Sequence, residues 1–427
     1  MTETEETGAV TRSWGFSRLW AGMLIALILV TFPLWRGDEP LLQIPMLPFL
    51  HSWSPWGQWI PCLTLLAACA AILASAEGAR RWLWWIVAAA LCFAFLLNQH
   101  RLQPWAYQSA IYAVVFATMD RETARRWLIP LAASVYLYSG LGKIDYQFAH
   151  TVGQNFLAAI DLPGVGNLAD RFEHNTLAMI ALLLPLSEML IGIGLLMTRT
   201  RRLAGALVIA LHVSLIGMLG PWNLNHSHGV LLWNVLLIVQ AWFLFLQRCP
   251  NPIDPNPSSD PGDSASTAAL SATVPKLNHS IGQRFAATLV ILAIVMPATE
   301  RWGYWDHWTS WALYSPHSSR ATVELHRSAR EHVPAEMHPF LIDDDDDGWY
   351  RLEMNSWSLD RLTVPIYPQA RFQLAVASRI AHQCDLRNSV RVIVKGVSDR
   401  RSGRRIEQRL LGRKEIDTAQ KQYWLAR

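Results

Sequence analysis

Nine apolar stretches separated by polar loops run through the first 300 residues, at about 17–35, 56–75, 82–98, 104–119, 127–142, 177–197, 203–220, 229–247 and 282–298. A helix needs ~20 apolar residues to cross ~30 Å of hydrocarbon. Most of the stretches approach that length, and the shorter ones predict helices that are tilted, longer than drawn or re-entrant. Beyond residue 300 the pattern changes. ATVELHRS, YRLEMN and RVIVKG read as strands. Ala370 to Gln383 and Glu415 to Tyr423 read as helices, and Ser398 to Gly403 as a turn. The expected fold is an all-α polytopic membrane bundle of about nine transmembrane helices with a small C-terminal extracytoplasmic α+β domain.

The loop charges orient that bundle. Arg12, Arg18, Arg80, Arg81, Arg121, Arg125, Arg126, Arg199, Arg201, Arg202, Arg248, Lys276 and Arg284 fall in the N-terminal segment and every second loop. The alternate loops carry only Arg36, Arg101, Lys143 and Arg171. Lys and Arg are retained in the cytoplasm, so thirteen against four predicts a cytoplasmic N-terminus. An odd number of spans then puts the C-terminal domain outside, in the periplasm if the membrane is a bacterial inner membrane.

Composition refines the picture. The segment 249–280 is rich in Pro, Ser, Asp and Thr and cannot bury enough apolar surface to fold. The expected layout is therefore a cytoplasmic N-terminus (1–16), an eight-helix membrane domain (17–248), a disordered linker (249–280), a ninth helix (281–299) and the outer domain (300–427). The first stretch follows an acidic, Thr-rich leader without a small-residue cleavage site, which predicts a retained anchor. Many of the 21 Trp residues stand at span ends, as in an aromatic belt. The net charge of +4 shows no basic stripe for nucleic acid. The five cysteines form no C-x-x-C, so thiol–disulfide relay chemistry has no seat. Asp343 to Asp347 followed by Gly348 fits half of a calcium loop, but Met354 stands where the bidentate Glu belongs. A solvated acidic turn is the simpler reading.

Ionisable groups within spans are functional candidates by default. Glu188 lies in the sixth stretch and His212 in the seventh. At 1.5 Å per residue they sit ~16 and ~12 Å from the outer end, so a Glu–His pair able to hold or relay a proton is one expectation. A structural bond that locks two helices is the other. In VYLYSGLGKIDYQF, Tyr136, Gly140 and Lys143 share one helical face. Lys143 stands at the outer mouth, where it is either a snorkelling anchor or a partly desolvated lysine able to act as a base. The outer loops add Asn98, Gln99, His100, Arg101, Gln103, Gln108, Asn223, Asn225, His226 and His228, with Asn234 just inside the next span. These polar groups predict a pocket at the outer face. His226, His228 and His100 lack a companion carboxylate, and no metal is assigned to them.

YLYSGLGKIDYQF resembles the Y-x-x-A/S-G-x-x-K motif of the HTTM family, the membrane fold shared with vitamin K-dependent gamma-carboxylases. His212 before a polar outer loop and Trp311–Pro316 (WALYSP) resemble two further features of that family. PLSEMLIGIGLL is similar to the Glu-bearing helix of DoxX-like and MauE-like membrane proteins. The resemblance covers about residues 80–320. It implies that Lys143 is a base that deprotonates a reduced quinone on the extracytoplasmic side. The carboxylase substrate-recognition segments are not found, and the paired cysteines of the redox relatives are missing.

Two function classes follow. The first is a quinone-linked oxidoreductase or carboxylase-like enzyme. In it Lys143, Glu188 and His212 are catalytic, while Asn98, Gln99, His100, Arg101, Tyr136, Asn223, Asn225, His226 and Asn234 hold the substrate or a quinone/quinol cofactor. The second is a non-enzymatic membrane scaffold or assembly factor whose outer domain binds an extracytoplasmic protein partner. An enzyme should tolerate loss of residues 320–427 better than loss of Lys143, and a scaffold the reverse. Whether the chain is an enzyme stays open at this point. A transporter would need interrupted helices in corresponding halves, and none is evident.

Overall fold

The computed structural model describes residues 15–52, 55–75, 80–162, 166–167, 170–247, 280–344, 346–423 and 425. Only residues 15–16 of the expected leader and Ser280 of the expected linker are among them; the rest of both lies outside the described residues.

Helices dominate the first 300 residues. α1 (Gly15–Val30), α2 (Phe32–Arg36), α3 (Trp59–Ala74), α4 (Arg80–Leu97), α5 (Pro104–Thr118) and α6 (Arg121–Lys143) come first. Two short helices follow, α7 (Tyr146–His150) and α8 (Val152–Ala158). The small antiparallel pair β1 (Asp161–Leu162) and β2 (Gly166–Asn167) then leads to α9 (His174–Ala181), which runs on into α10 (Leu183–Leu196). α11 (Arg201–Leu219), α12 (His228–Ala241) and α13 (Ile281–Val295) complete the bundle.

Five helical segments among the described residues are both long and apolar enough to cross a membrane: Trp56–Ala74, His174–Leu196, Arg201–Leu219, His228–Leu246 and Ile281–Trp302. The expectation was nine. α1 and residues 81–97 are apolar but shorter, and α5 has 15 residues. α6 has 23, but Arg121, Arg125, Arg126 and Lys143 lie within it.

Local chemistry sets the helix ends that matter. Asp120 caps α6 by accepting the Glu122 and Thr123 amides, each at 3.0 Å. Pro104 opens α5, where its missing N–H costs nothing. Ser280 and Gln283 form a capping box on α13. α6 and α10 approach closely because Gly140 and Gly192 face the contact. A Cβ on Gly140 would lie 2.6 Å from the Pro185 carbonyl oxygen and from Met189 Cγ, and one on Gly192 would lie 2.8 Å from Leu137 Cγ. Small residues at such crossings let backbones meet and bring polar side chains within bonding reach. Deeper in the bundle, Gln240 Oε1 accepts from Gln108 Nε2 and from the Tyr112 hydroxyl, each at 2.8 Å, and joins α5 to α12.

The C-terminal region forms a five-stranded antiparallel sheet. Its strands are β3 (Arg320–His326), β4 (Leu341–Ile342), β5 (Trp349–Leu352), β6 (Val390–Lys395) and β7 (Glu407–Leu411), in the order β4-β5-β3-β6-β7. Its helices are α14 (Met354–Leu362), α15 (Ala370–Gln383) and α16 (Gly412–Gln420). The three expected strands are β3, β5 and β6, and β4 and β7 add the edges. α15 spans its expected residues. α16 begins three residues before the expected Glu415, where Gly412 supplies a φ of 73° and Glu415 accepts the Leu411 amide. β3 alternates buried and half-buried side chains between exposed ends, with Ala321, Val323 and Leu325 turned inward against α15.

This domain sits on the end of the bundle where α6 finishes. Arg361 pairs with Glu39, Arg301 pairs with Asp145 at 2.7 Å, and Arg405 donates to Gln147 at 2.6 Å. At the far end Arg125 donates to the Leu244 and Gln247 carbonyls. The acidic turn is consumed by arginines: Arg327 pairs with Asp343 and Asp346, Arg351 with Asp344, and Arg391 with Asp347. Asp345 lies outside the described residues.

Candidate functional site

A cavity of about 560 Å³ lies between the bundle and the C-terminal domain. Its floor is built from α6, α10, α11 and α12, and its roof from residues 307–320 and 355–373. Most of the lining is apolar, including Trp105, Val135, Phe156, Leu211, Leu215, Trp233 and Ile366. Two polar constellations enter it.

The first is an ion pair. Lys143 Nζ lies 2.6 and 2.8 Å from the two Glu188 oxygens and donates to Ser139 Oγ at 2.9 Å. Lys143 ends α6, Ser139 stands one turn earlier, and Glu188 faces them from α10. The Gly140 and Gly192 contacts hold the two helices at that separation. Lys143 is 4% and Glu188 9% exposed, so water screens the pair weakly.

The second is an oriented chain of hydrogen bonds. Asn234 Nδ2 donates to the Val230 carbonyl at 2.8 Å, which turns its oxygen toward His212. His212 Nδ1 therefore donates to Asn234 Oδ1, at 2.7 Å. His212 Nε2 is then the acceptor for the Tyr136 hydroxyl at 2.9 Å. The Tyr136 hydroxyl is thus the donor at the end of this chain. Glu188 does not meet His212, as the similar depths had suggested: the shared face of Tyr136 and Lys143 on α6 separates the two polar groups into neighbouring units.

The sequence-predicted residues divide sharply. Lys143, Glu188, His212, Tyr136, His226 and Asn234 line the cavity. His226 packs edge-on against Tyr314 at 5.5 Å, and burial pushes its pKa down. Asn98, Gln99, His100, Arg101, Asn223 and Asn225 do not line it. Asn98 accepts the His100 amide at 3.0 Å and caps a single turn. The Gln99 backbone amide donates to the Ile44 carbonyl at 2.8 Å, and its side chain is fully buried. His100 Nε2 donates to the Pro365 carbonyl at 2.9 Å and ties bundle to domain. Arg101 donates to the carbonyls of Leu34, Trp35 and Gln58, at 3.3, 2.9 and 3.4 Å, and lies over the Trp35 ring. Asn223 donates to the Ala159 carbonyl, and Asn225 takes a φ of 48° in the loop before α12. The Asn98, His100, Arg101 and Asn223 side chains are spent on backbone groups, whereas the Gln99 amide is buried with no hydrogen-bond partner among the described residues.

Sequence reasoning missed Ser139, Tyr314 and a buried cluster of Glu300, His307 and His317. His307 Nδ1 lies 2.8 Å from Glu300 Oε1, and His317 Nε2 lies 2.8 Å from Glu300 Oε2. A signal was present: His307 and His317 flank the Trp311–Pro316 segment that was singled out.

No family model, curated protein or solved structure matches the chain.

Proposed function

We propose that this chain is a multi-pass membrane protein of the HTTM and DoxX-like kind that binds an amphipathic, lipid-soluble hydroxy compound, a quinol by preference, and removes its proton at Lys143. In this reading nine spans place the N-terminus in the cytoplasm and the cavity on the extracytoplasmic side, with the periplasmic domain as its roof. The lopsided loop charges support that orientation. The single observation that carries the chemistry is Lys143 paired with Glu188 in the wall of a largely apolar cavity.

The pair can exist as ammonium and carboxylate or, with one proton moved along the 2.6 Å hydrogen bond, as amine and carboxylic acid. In the second form the Lys143 lone pair can take a proton from a substrate hydroxyl. Lys143 is then an ammonium again, Glu188 holds the transferred proton, and the substrate is an oxyanion. Tyr136, polarised by His212, accepts a hydrogen bond from a hydroxyl or moves over to donate one to the oxyanion. A cavity of about 560 Å³ is of the size that encloses a small organic guest. The low-dielectric walls strengthen each of these polar contacts.

One observation favours a second, non-enzymatic reading. Glu188 already neutralises Lys143, and the pair fastens α6 to α10 in the manner of a structural clasp. The test is mass spectrometry of small molecules that co-purify in mild detergent, with wild type beside Lys143→Ala. A stoichiometric quinone present in wild type and absent from the variant, with the variant shown to be folded by its unfolding transition, supports the enzyme reading. Bulk phospholipid alone in both sinks it.

A further inference from the structure

The Glu300, His307 and His317 cluster takes no part in the proton chemistry above, and its geometry poses a problem that a cation solves. His317 Nδ1 lies 3.0 Å from the Gly142 carbonyl oxygen. A carbonyl only accepts, so Nδ1 carries the hydrogen. In the neutral ring Nε2 is then a bare lone pair, and it points at Glu300 Oε2 from 2.8 Å. Unless the ring takes a second proton, two acceptors face each other with no donor between them, and a bound cation relieves that contact as a proton would. His307 approaches the other oxygen of the same carboxylate through Nδ1 at 2.8 Å. The side chains of His307, His317 and Glu300 are 3, 1 and 9% exposed, so bulk water does not relieve the contact. Arg301, next in the chain, is committed to Asp145 and the Ser398 carbonyl.

We infer that Glu300, His307 and His317 bind a divalent transition metal, zinc in the first instance. The three donor atoms lie within 4.8 Å of one another. Two imidazoles and one carboxylate form a donor set that zinc accepts in tetrahedral sites that keep a fourth position open. The Gly142 carbonyl plays the outer partner that a ligating histidine uses to fix its tautomer. His307 also lines the cavity that Lys143 enters, while Glu300 and His317 lie behind that lining. The metal would cross-link residues 300, 307 and 317 of the segment after α13, which the His317 bond to the Gly142 carbonyl ties to the last turn of α6. This inference stands apart from the quinol reading, because metal uptake is measured without any substrate.

The test uses full-length protein purified through a tag without histidines, stripped with chelator and dialysed against micromolar Zn²⁺ and, separately, Co²⁺. Wild type should retain about one equivalent of zinc and give a tetrahedral cobalt spectrum. His317→Ala and the isosteric Glu300→Gln should weaken uptake at least roughly tenfold, while His382→Ala, on the domain surface, leaves it unchanged. Glu300→Gln keeps the shape of the site, and the wild-type cobalt spectrum decides even if His317→Ala fails to fold. Wild type that takes up no metal overturns the inference and leaves a carboxylate–imidazolium contact. Uptake equal in wild type and Glu300→Gln overturns it too.

Discussion

Lys143 and Glu188, 45 residues apart, form a two-point ion pair because Gly140 and Gly192 let α6 and α10 touch. Removing either partner alone leaves a charge with no counter-ion in a low-dielectric wall. We expect Lys143→Ala and Glu188→Gln each to cost about 3–5 kcal/mol of stability. The double replacement Lys143→Met with Glu188→Leu should recover most of that loss yet retain no guest. Thermal unfolding in detergent, read beside small-molecule retention, separates the two effects. Guest retention in the double variant would remove Lys143 from the chemistry.

The helix contact itself is open to test. In Gly140→Ala the new methyl would meet the Pro185 carbonyl and Met189, and overpacking of this kind costs about 1–3 kcal/mol. Gly217→Ala on α11 meets nothing within 4 Å and should be neutral or slightly stabilising, because alanine favours the helix. A lowered Tm in the first variant and not in the second is the expected outcome.

Tyr136→Phe removes the one hydroxyl that His212 accepts from, while the ring still fills its place. Stability should fall by about 1 kcal/mol, and turnover or guest affinity should fall by more than that change explains. Equal guest affinity in wild type and Tyr136→Phe would mean the Asn234–His212–Tyr136 chain is purely structural.

Arg101 separates a binding role from a structural one. Its planar fork serves three carbonyls at once, which a lysine cannot do. Arg101→Lys should destabilise the protein by about 1–3 kcal/mol and leave guest retention per folded molecule unchanged. A folded variant that loses its guest would return Arg101 to the site.

His100 gives a pH dependence with a definite sign. Burial lowers its pKa from 6.5 to about 4, while the bond to Pro365 opposes that shift. Its Nε2 carries the hydrogen given to Pro365, and Nδ1 is buried without a partner, so a second proton finds no acceptor. Between about pH 4 and 6.5 the unfolded chain binds more protons than the folded one. Stability should therefore fall as pH drops through that window, by up to about 1.4 kcal/mol per unit. Hydrogen exchange across α14 and residues 363–369 should rise first, since His100 joins the domain to the bundle. His100→Phe should flatten the slope.

Much of this architecture was legible in the chain. Apolar periodicity marked the helices, and alternation marked β3, β5 and β6. Lys143, Glu188, His212, Tyr136 and Asn234 stood out because polar groups are costly in or at the end of apolar runs, and His226 stood out in a polar outer loop; all six reach one cavity. Asn98, His100 and Arg101 stood out as polar groups of an outer loop but serve the backbone, which composition cannot distinguish. The pairing of Lys143 with Glu188 depended on two glycines that set helix separation, a property of the packed pair and of neither helix alone. Glu300, His307 and His317 were missed because they assemble only when the segment after α13 folds back onto Gly142. The truncation test suggested by sequence also loses its meaning: Val364 to Gln373 contribute to the roof, so removing residues 320–427 would open the site in either reading.

The walls of the cavity run from Gln103 to Gln373 along the chain. α5, α6, α10, α11 and α12 all precede the roof in the chain, so the lysine, glutamate and histidine are synthesised before the residues that cover them. The cavity is covered only when residues 307–320 and 355–373 have docked. A chain interrupted before that point carries Lys143, Glu188 and His212 on an open floor, without the roof that residues 307–320 and 355–373 supply.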